Sequence, residues 1–217
     1  MRSTFVFLIA LSGLWAQPAS DKAVSLPRKF VVGETWEYRS TVTMSQTGKA
    51  PVNNTIVHRA KIVKVDAKGA ATIEKSTVSG TGSNSRFVVP KAGAVDLKQF
   101  ASGGGRSYND DPFATSLLPN KPVKPGDGWS TELVNGGTKV RFICQYQGAK
   151  TVNGARVHHI AYSAAPADGP PTMSMKGFYY LDAATGWLTQ ITFDMTATNG
   201  REKLTIKGSS TGKRIKG

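Results

Sequence analysis

Apolar and polar residues alternate along much of the chain, with a period of two residues. In the segment 36–44, positions 36, 38, 42 and 44 are aromatic or aliphatic, whereas 37, 39, 41 and 43 carry charges or hydroxyl groups. Successive side chains of a β-strand point to opposite faces, so this pattern predicts a strand that is buried on one side only. The pattern recurs at 140–146 and 187–195, and weaker strand signals lie at 56–65, 70–79, 84–89, 155–163, 173–181 and 202–207.

Turn-forming residues separate these runs. The segments 66–69, 153–154 and 182–186 each combine an Asx residue with a glycine, which accepts the positive φ of a tight hairpin turn. Helix signals are few, and the best predicts one short helix near 112–118, with Asp111 as its N-cap. The chain is therefore predicted to be all-β: a curved antiparallel sheet of about 10–11 strands that forms a half-barrel or a closed barrel.

Two segments, 26–36 and 118–129, resemble each other. Both read Leu-Pro-x-Lys-x-Val, then a glycine, an acidic residue, any residue and a tryptophan, with one residue inserted in the second copy. The proline stiffens the approach, the Gly-acid pair forms a tight turn, and the tryptophan anchors the next strand in the core. This repeat predicts an internal duplication, with units at about 26–100 and 118–200 inside a single β domain, 17–217.

The first sixteen residues, 1–16, have the pattern of a secretory signal peptide. Arg2 precedes an apolar run of about 12 residues, and small residues lead to a cleavage site after Ala16. The run is shorter than the ~20 residues that a membrane-spanning helix needs. The single cysteine, Cys144, is far from the position at which a bacterial lipid anchor is attached. The mature protein is therefore predicted to be secreted or periplasmic.

The second copy of the repeat and a later hairpin carry a resemblance. The segments Lys-Pro-Val-Lys-Pro-Gly-Asp-Gly-Trp at 121–129 and Gly-Phe-Tyr-Tyr-Leu-Asp-Ala-Ala-Thr-Gly-Trp-Leu at 177–188 resemble those of a group of uncharacterised secreted bacterial β-rich proteins. That group shares a repeated Val-x-x-Gly-Asp-x-Trp segment and a closing Tyr-x-Leu-Asp-x-x-Thr-Gly hairpin. A curved sheet of such hairpins is similar, in architecture only, to the half-barrel of periplasmic lipoprotein carriers. The chain lacks sequence signals for the longer helices that plug those half-barrels, and a likeness of fold does not decide function.

The chain is strongly basic. Its 28 Lys and Arg residues exceed its 14 Asp and Glu residues, which gives a net charge of +14, or +13 once Arg2 is removed with the signal peptide. Such an excess attracts anionic partners of the cell envelope, such as a lipid, a glycolipid or an anionic polymer, unless it only aids solubility. No nucleic-acid module is present, which argues against nucleic acid as a partner. The strand cations that alternate with core positions are the candidate anion contacts: Arg39, Arg59, Lys61, Arg141 and Arg156.

Residues that perform catalysis or bind metals are scarce. His158 and His159 are adjacent on a predicted strand and point to opposite faces, so with His58 they predict no shared metal site. Cys144 alternates with apolar neighbours, which predicts a buried and inert thiol. No Gly-x-Ser-x-Gly elbow occurs, and no motif places the acidic strand residues in a cleft. We therefore expect neither catalytic residues nor a cofactor.

The leading functional hypothesis is an exported, non-enzymatic binding protein of the cell envelope that holds a lipophilic or amphiphilic anionic ligand. The alternative is a structural or protein-interaction module at the cell surface without a ligand cavity, and an extracellular hydrolase is a third, disfavoured hypothesis. A broad sheet with few helices to cover its methionine- and aromatic-rich face favours the first. The residues predicted to face the ligand or the core are Trp36, Tyr38, Met44, Phe142, Tyr146, Phe193 and Met195.

Overall fold

A computed structural model describes residues 22–82, 84–92, 117–135, 138–168 and 172–216 of the chain. The predicted signal peptide and most of the predicted helix lie outside these residues, and Leu117 and Leu118 at the end of that helix are not helical. The described residues form ten strands: β1 (Thr35–Gln46), β2 (Val52–Val65), β3 (Ala71–Ser79), β4 (Ser85–Val89), β5 (Gly128–Asn135), β6 (Thr138–Val152), β7 (Ala155–Pro166), β8 (Met173–Asp182), β9 (Leu188–Asn199) and β10 (Glu202–Lys216).

All ten strands belong to one antiparallel sheet, in the order β4-β3-β2-β1-β10-β9-β8-β7-β6-β5. Strands that follow each other in the chain are neighbours in the sheet, except β4 and β5, which lie at its two edges; β1 pairs with β10 at its centre. The sheet is curved, and no ladder joins its edges in the described part of the chain. The prediction of an all-β, curved antiparallel sheet is confirmed, and the structure selects the open half-barrel over the closed barrel.

The register arranges the core-facing residues in rows that cross the strands, because directly opposite residues share a face of the sheet. We call this face the concave face and the opposite one the outer face. Three successive rows of the concave face are Ser40, Ser210, Ile191, Tyr179, Ile160 and Tyr146; Val42, Gly208, Phe193, Gly177, Tyr162 and Cys144; and Met44, Ile206, Met195, Met175, Ala164 and Phe142.

The C-terminal strand is longer than the sequence predicts. The strand signal ends at residue 207, yet β10 continues to Lys216 between β1 and β9. Two glycines make room for aromatic rings there. A Cβ atom at Gly208 would lie 2.3 Å from the ring of Phe193, and one at Gly212 would lie 2.3 Å from the ring of Tyr38. Packing against these rings gives a glycine-containing segment of low strand propensity a place in the middle of the sheet.

The two Gly-acid turns of the sequence repeat make the same hydrogen bonds. Gly33 and Gly126 have φ values of +90° and +94°. The N–H of Gly33 donates to the carbonyl of Ile62 on β2, and the N–H of Gly126 donates to the carbonyl of Tyr146 on β6, each at 2.8 Å. The N–H groups of Ile62 and Tyr146 donate in return to the carbonyls of the two acidic residues, at 3.0 and 2.9 Å. This shared geometry is what a duplication would produce, and the duplication itself stays a prediction.

A segment without regular secondary structure, residues 22–34, crosses one end of the concave face; we call it the N-terminal strap. Its Val24 forms a two-way backbone bridge with Val123 ahead of β5. The N–H of Arg28 donates to the carbonyl of Lys91 after β4 at 2.8 Å, and the N–H of Lys29 donates to the carbonyl of Thr185 in the β8–β9 turn at 2.7 Å. The strap therefore links the flanks of both edge strands and covers this end of the half-barrel.

Candidate ligand-binding face

The concave face is filled beneath the N-terminal strap, at what we call the closed end. Trp187 is 1% exposed and stacks on Trp36 with the ring centroids 5.2 Å apart, while Phe30 of the strap meets Trp187 edge-on at 5.6 Å. The hydroxyl of Tyr38 donates to the carbonyl of Leu188 at 3.1 Å. Aromatic packing of this density leaves the side chains little freedom to rearrange.

A buried cation, Arg28, is part of this filling. It is 3% exposed, and its guanidinium donates to the carbonyl of Pro90 at 3.1 Å. Burial lowers the pKa of Arg28 to about 10, because apolar surroundings disfavour the charged form, and the nearby Tyr179 and Tyr38 partly offset that effect. The strap is therefore held by a hydrogen-bonded cation as well as by apolar packing.

At the opposite end, which we call the open end, apolar residues of the same face are accessible. Met44, near the end of β1, is 44% exposed. Val42, Met173, Phe193 and Leu204 are only partly buried where they pack against the core. Contiguous apolar surface of this kind, beside an otherwise buried face, is typical of a binding site.

Methionine is concentrated at the open end. Met1 excepted, every methionine of the chain lies there on the concave face: Met44 on β1, Met173 and Met175 on β8, and Met195 on β9. Met175 and Met195 lie directly opposite each other and are 6% and 8% exposed. The methionine side chain is unbranched and polarizable, so it adapts to the shape of whatever packs on it. This lining suits apolar ligands of variable shape.

Charged residues lie on the strand connections around the open end. Lys49 belongs to the β1–β2 turn, and Arg201 and Lys203 belong to the β9–β10 turn and the start of β10. The two turns touch, since the N–H of Thr47 donates to the carbonyl of Lys203 at 3.1 Å. Glu202 is the acidic residue of these two connections. Cations therefore predominate on this part of the rim.

Buried hydroxyl and thiol groups lie between the two ends. Tyr162 donates to the carbonyl of Thr192 at 3.0 Å, and Tyr179 donates to the carbonyl of Leu117. Cys144 is 1% exposed, and burial raises the pKa of its thiol to about 12, although a hydrogen bond with Tyr179 partly offsets the shift. The thiol is therefore protonated near neutral pH and unreactive, as the alternation predicts.

The two adjacent histidines lie on different faces, as the alternation also predicts. His158 is on the concave side, where its Nδ1 and the Tyr146 hydroxyl are hydrogen-bonded at 2.8 Å. Burial, and to a smaller extent Arg156, lowers the pKa of His158. His159 is on the outer face, edge-on to Phe178 at 5.5 Å. Within the described ranges, no three His, Cys, Asp or Glu side chains come together as a metal site would require.

The seven residues predicted to face the ligand or the core all lie on the concave face. Five of them are buried, Trp36, Tyr38, Phe142, Tyr146 and Met195, whereas Phe193 is partly buried and Met44 is exposed at the open end. The structure thus brings only part of the set to one accessible place. Contact of these residues with a ligand stays a prediction.

The five predicted anion contacts are exposed, but they do not gather at the open end. Two are engaged within the sheet, Arg59 with Glu37 at 3.1 Å and Arg141 with Glu132 at 2.7 Å. Those that form no ion pair with a described residue are Arg39, Lys61 and Arg156. Their contact with an anion likewise stays a prediction.

The sequence interpretation missed several residues of the open end. Met173 and Met175 lie within a weak strand signal, which Gly177 interrupts. The alternation of apolar and polar residues from Met173 to Tyr179 could have predicted that Met173 and Met175 share the concave face. Lys203 stands among the cations of the basic C-terminal segment, and only the pairing of β10 with β1 and β9 brings it to the rim.

Comparisons with known proteins show a likeness of fold. No family model matches the chain, and no curated protein is similar to it in sequence. A hypothetical lipoprotein of Escherichia coli K12 is 11% identical, covers 89% of this chain and 92% of its own, and has a TM-score of 0.31. A candidate lipoprotein of Parabacteroides distasonis is also 11% identical, with coverages of 87% and 98% and a TM-score of 0.39. A LolA superfamily protein of Nitrosomonas europaea is 7% identical, with coverages of 84% and 88% and a TM-score of 0.24.

These likenesses carry no function over to this chain, which the fold and the site define as an open antiparallel half-barrel with one accessible apolar end. Across the residues that the structure describes, no helix has the length and apolar character needed to cross a membrane.

Proposed function

We propose that this chain is an exported, non-enzymatic binding protein of the cell envelope, which holds the apolar part of an anionic amphiphile at the open end of its concave face. One observation carries the proposal. At the open end Met44 is 44% exposed, and Val42, Met173, Phe193 and Leu204 are only partly buried, whereas Tyr38 at the closed end of the same face is 0% exposed. A face that served only as a core would be covered along its whole length.

The lining supports a hydrocarbon ligand. Thioether, aliphatic and phenyl groups offer hydrophobic and dispersion contacts without demanding hydrogen bonds. Each buried methylene contributes roughly 0.8 kcal/mol, so about ten methylenes give roughly 8 kcal/mol in gross terms, which corresponds to micromolar binding. An acyl chain of ordinary length is therefore sufficient.

The rim and the closed end support an orientation for this ligand. Lys49, Arg201 and Lys203 attract an anionic head group at the mouth of the open end. Trp187 and the N-terminal strap fill the closed end, so the hydrocarbon chain enters and leaves at the open end. The predicted signal peptide, 1–16, supports the location in the envelope.

Titration of the mature chain, 17–217, with a dansyl-labelled undecanoic acid tests this proposal. We expect saturable binding with one site per chain. Met44→Gln should weaken it at least tenfold, because an amide in the apolar patch must give up its hydration when the ligand binds. Val88→Gln is the matched control, since Val88 is 43% exposed on β4 and faces away from the concave side, where its neighbours Phe87 and Val89 are buried. Absence of saturable binding, or equal weakening in both variants, would overturn the proposal.

A further inference from the structure

An aromatic cluster lies on the outer face of β7 and β8, where a solvent-facing position would ordinarily be polar. Phe178 and Tyr180 stack with ring centroids 4.9 Å apart, and His159 meets them edge-on at 5.5 and 5.1 Å. All three side chains are partly exposed. The ammonium group of Lys150 lies 4.5 Å from the ring centroid of Tyr180, which adds a cation–π contact. We call His159, Phe178 and Tyr180 the aromatic platform.

A groove of about 630 Å³ lies beside the platform on the same face, across β6 to β9. Lys176 joins the two features, because it lines the groove and stands two residues before Phe178 on the same face of β8. The volume is in the range of small-molecule binding sites, roughly 300–1,000 Å³. We call this feature the outer groove; its lining includes Arg141, Ile143, Ser163, Lys176, Asp194 and Thr196.

The charged groups of the platform and the groove that form no ion pair with a described residue are cations. Asp194, the acidic residue of the groove lining, forms an ion pair with Lys207 at 3.6 Å. Lys150, Lys176 and Arg39 form no ion pair with any residue that the structure describes. Arg39 belongs to the cross-strand row that contains Tyr180, and Lys176 stands at the groove. An anionic ligand therefore complements the platform and the groove.

We propose that the aromatic platform and the outer groove bind an acidic oligosaccharide, a sugar polymer that carries carboxylate groups. The faces of aromatic rings are electron-rich, and they attract the weakly positive C–H groups of a sugar ring. Ser163 and Thr196 supply hydroxyl groups that exchange hydrogen bonds with sugar hydroxyls in the groove. Lys150 and Lys176 neutralise the carboxylates.

This site is chemically different from the open end. The groove lining sets hydroxyl and charged groups among the apolar residues Ile143, Ala164, Ala165, Pro166 and Met175, and an acyl chain would desolvate those polar groups without replacing their hydrogen bonds. The site is also on the opposite face of the sheet. Its function is therefore independent of the proposed binding of an amphiphile, and either can fail without the other.

Calorimetric titration of the mature chain with three hexamers tests the ligand class. We expect hexagalacturonate to bind saturably, and neutral maltohexaose and hexaglutamate to bind at least tenfold more weakly. The neutral hexamer offers sugar rings without carboxylates, and the peptide offers carboxylates without sugar rings. Comparable binding of hexaglutamate would assign the surface to acidic peptides and overturn the proposal, and comparable binding of maltohexaose would overturn the requirement for charge.

Two variants test the place of binding. Phe178→Thr should weaken hexagalacturonate binding at least tenfold, since it removes half of the stacked pair and keeps a residue that favours strands. Lys176→Gln, at an exposed position that the fold does not need, should weaken it about threefold or more. Lys213→Gln is the control, because it makes the same change of charge on the outer face of β10. Equal weakening by Lys176→Gln and Lys213→Gln, or no weakening by either variant of the site, would overturn the proposal.

Discussion

The closed and open ends of the concave face are built on the same strands, yet they differ in how firmly their side chains are held. At the closed end, Trp187 and Trp36 bury each other beneath the N-terminal strap, and the Tyr38 hydroxyl has a carbonyl acceptor. At the open end, Met44 and Phe193 pack on one side only. The half-barrel therefore concentrates its stability at one end, which leaves the other free to stay accessible for a ligand.

Truncation of Trp187, at the centre of the closed end, should reveal the largest difference in stability between the two ends. We expect Trp187→Ala to lower the free energy of unfolding by about 3–5 kcal/mol, because the cavity it leaves is enclosed by Trp36 and the strap. Met44→Ala, at a 44% exposed position, should cost less than about 1 kcal/mol. Urea denaturation followed by far-UV circular dichroism measures both values. Similar losses at the two positions would show that the ends do not differ in packing.

The two glycines of β10 allow a finer test. A Cβ atom would meet an aromatic ring at 2.3 Å at either position. The ring of Tyr38 is buried and tied to Leu188, so Gly212→Ala should cost about 1–3 kcal/mol. The ring of Phe193 is partly exposed and can swing away, so Gly208→Ala should cost less. The same urea experiment ranks them, and a larger loss for Gly208→Ala would mean that the open end is the more rigid one.

Acidification should lower the stability of the folded chain by a smaller amount. Burial lowers the pKa of His158, and that of His159, below the ordinary value of about 6.5. Between the lowered values and about 6.5, the unfolded chain binds protons that the folded chain does not bind, so stability falls as the pH drops through this window. We expect a lower urea midpoint at pH 5 than at pH 7.5. The double variant His158→Gln/His159→Gln should show a smaller difference, and an unchanged difference would assign the effect to other groups.

The smallest effect is expected in the reactivity of the Cys144 thiol, which lies between the two ends. With a pKa of about 12 and 1% exposure, its thiol should not react with Ellman's reagent in the folded protein. Reaction should begin only in urea that unfolds the chain. Rapid labelling under native conditions would show that the region between the ends opens readily, so that the closed and open ends would differ less in stability than proposed.

Local patterns located most of the strands because alternation is a property of each strand by itself. Trp36 and Met44 illustrate the limit of such patterns, since they share one face of β1 but only Trp36 is covered. Leu188 is a second case: the alternation places it on the polar face, yet it is 2% exposed. A register shift between Tyr180 and Leu181 turns Leu188 toward the core, and no local signal announces such a shift.

The candidate site was predictable only in part for the same reason. Met44, Phe193 and Met195 were found because each alternates with polar residues on its own strand. Their meeting with Met173 and Met175 depends on the pairing of β8 with β9 and of β9 with β10. The aromatic platform was missed because Phe178 and Tyr180 stand beside Tyr179, and a run of three aromatics does not reveal which of them faces solvent.

The sequence by itself determined the fold class, the turns and which face of most strands is apolar, because steric preferences and side-chain alternation act within a few residues. The tertiary structure decided which part of that face is sealed and which part is accessible, because covering it requires the strap to meet strands that are distant in the chain. It also made a central strand of the glycine-containing C-terminus, since the rings of Tyr38 and Phe193 reach β10 only after β1, β9 and β10 have paired.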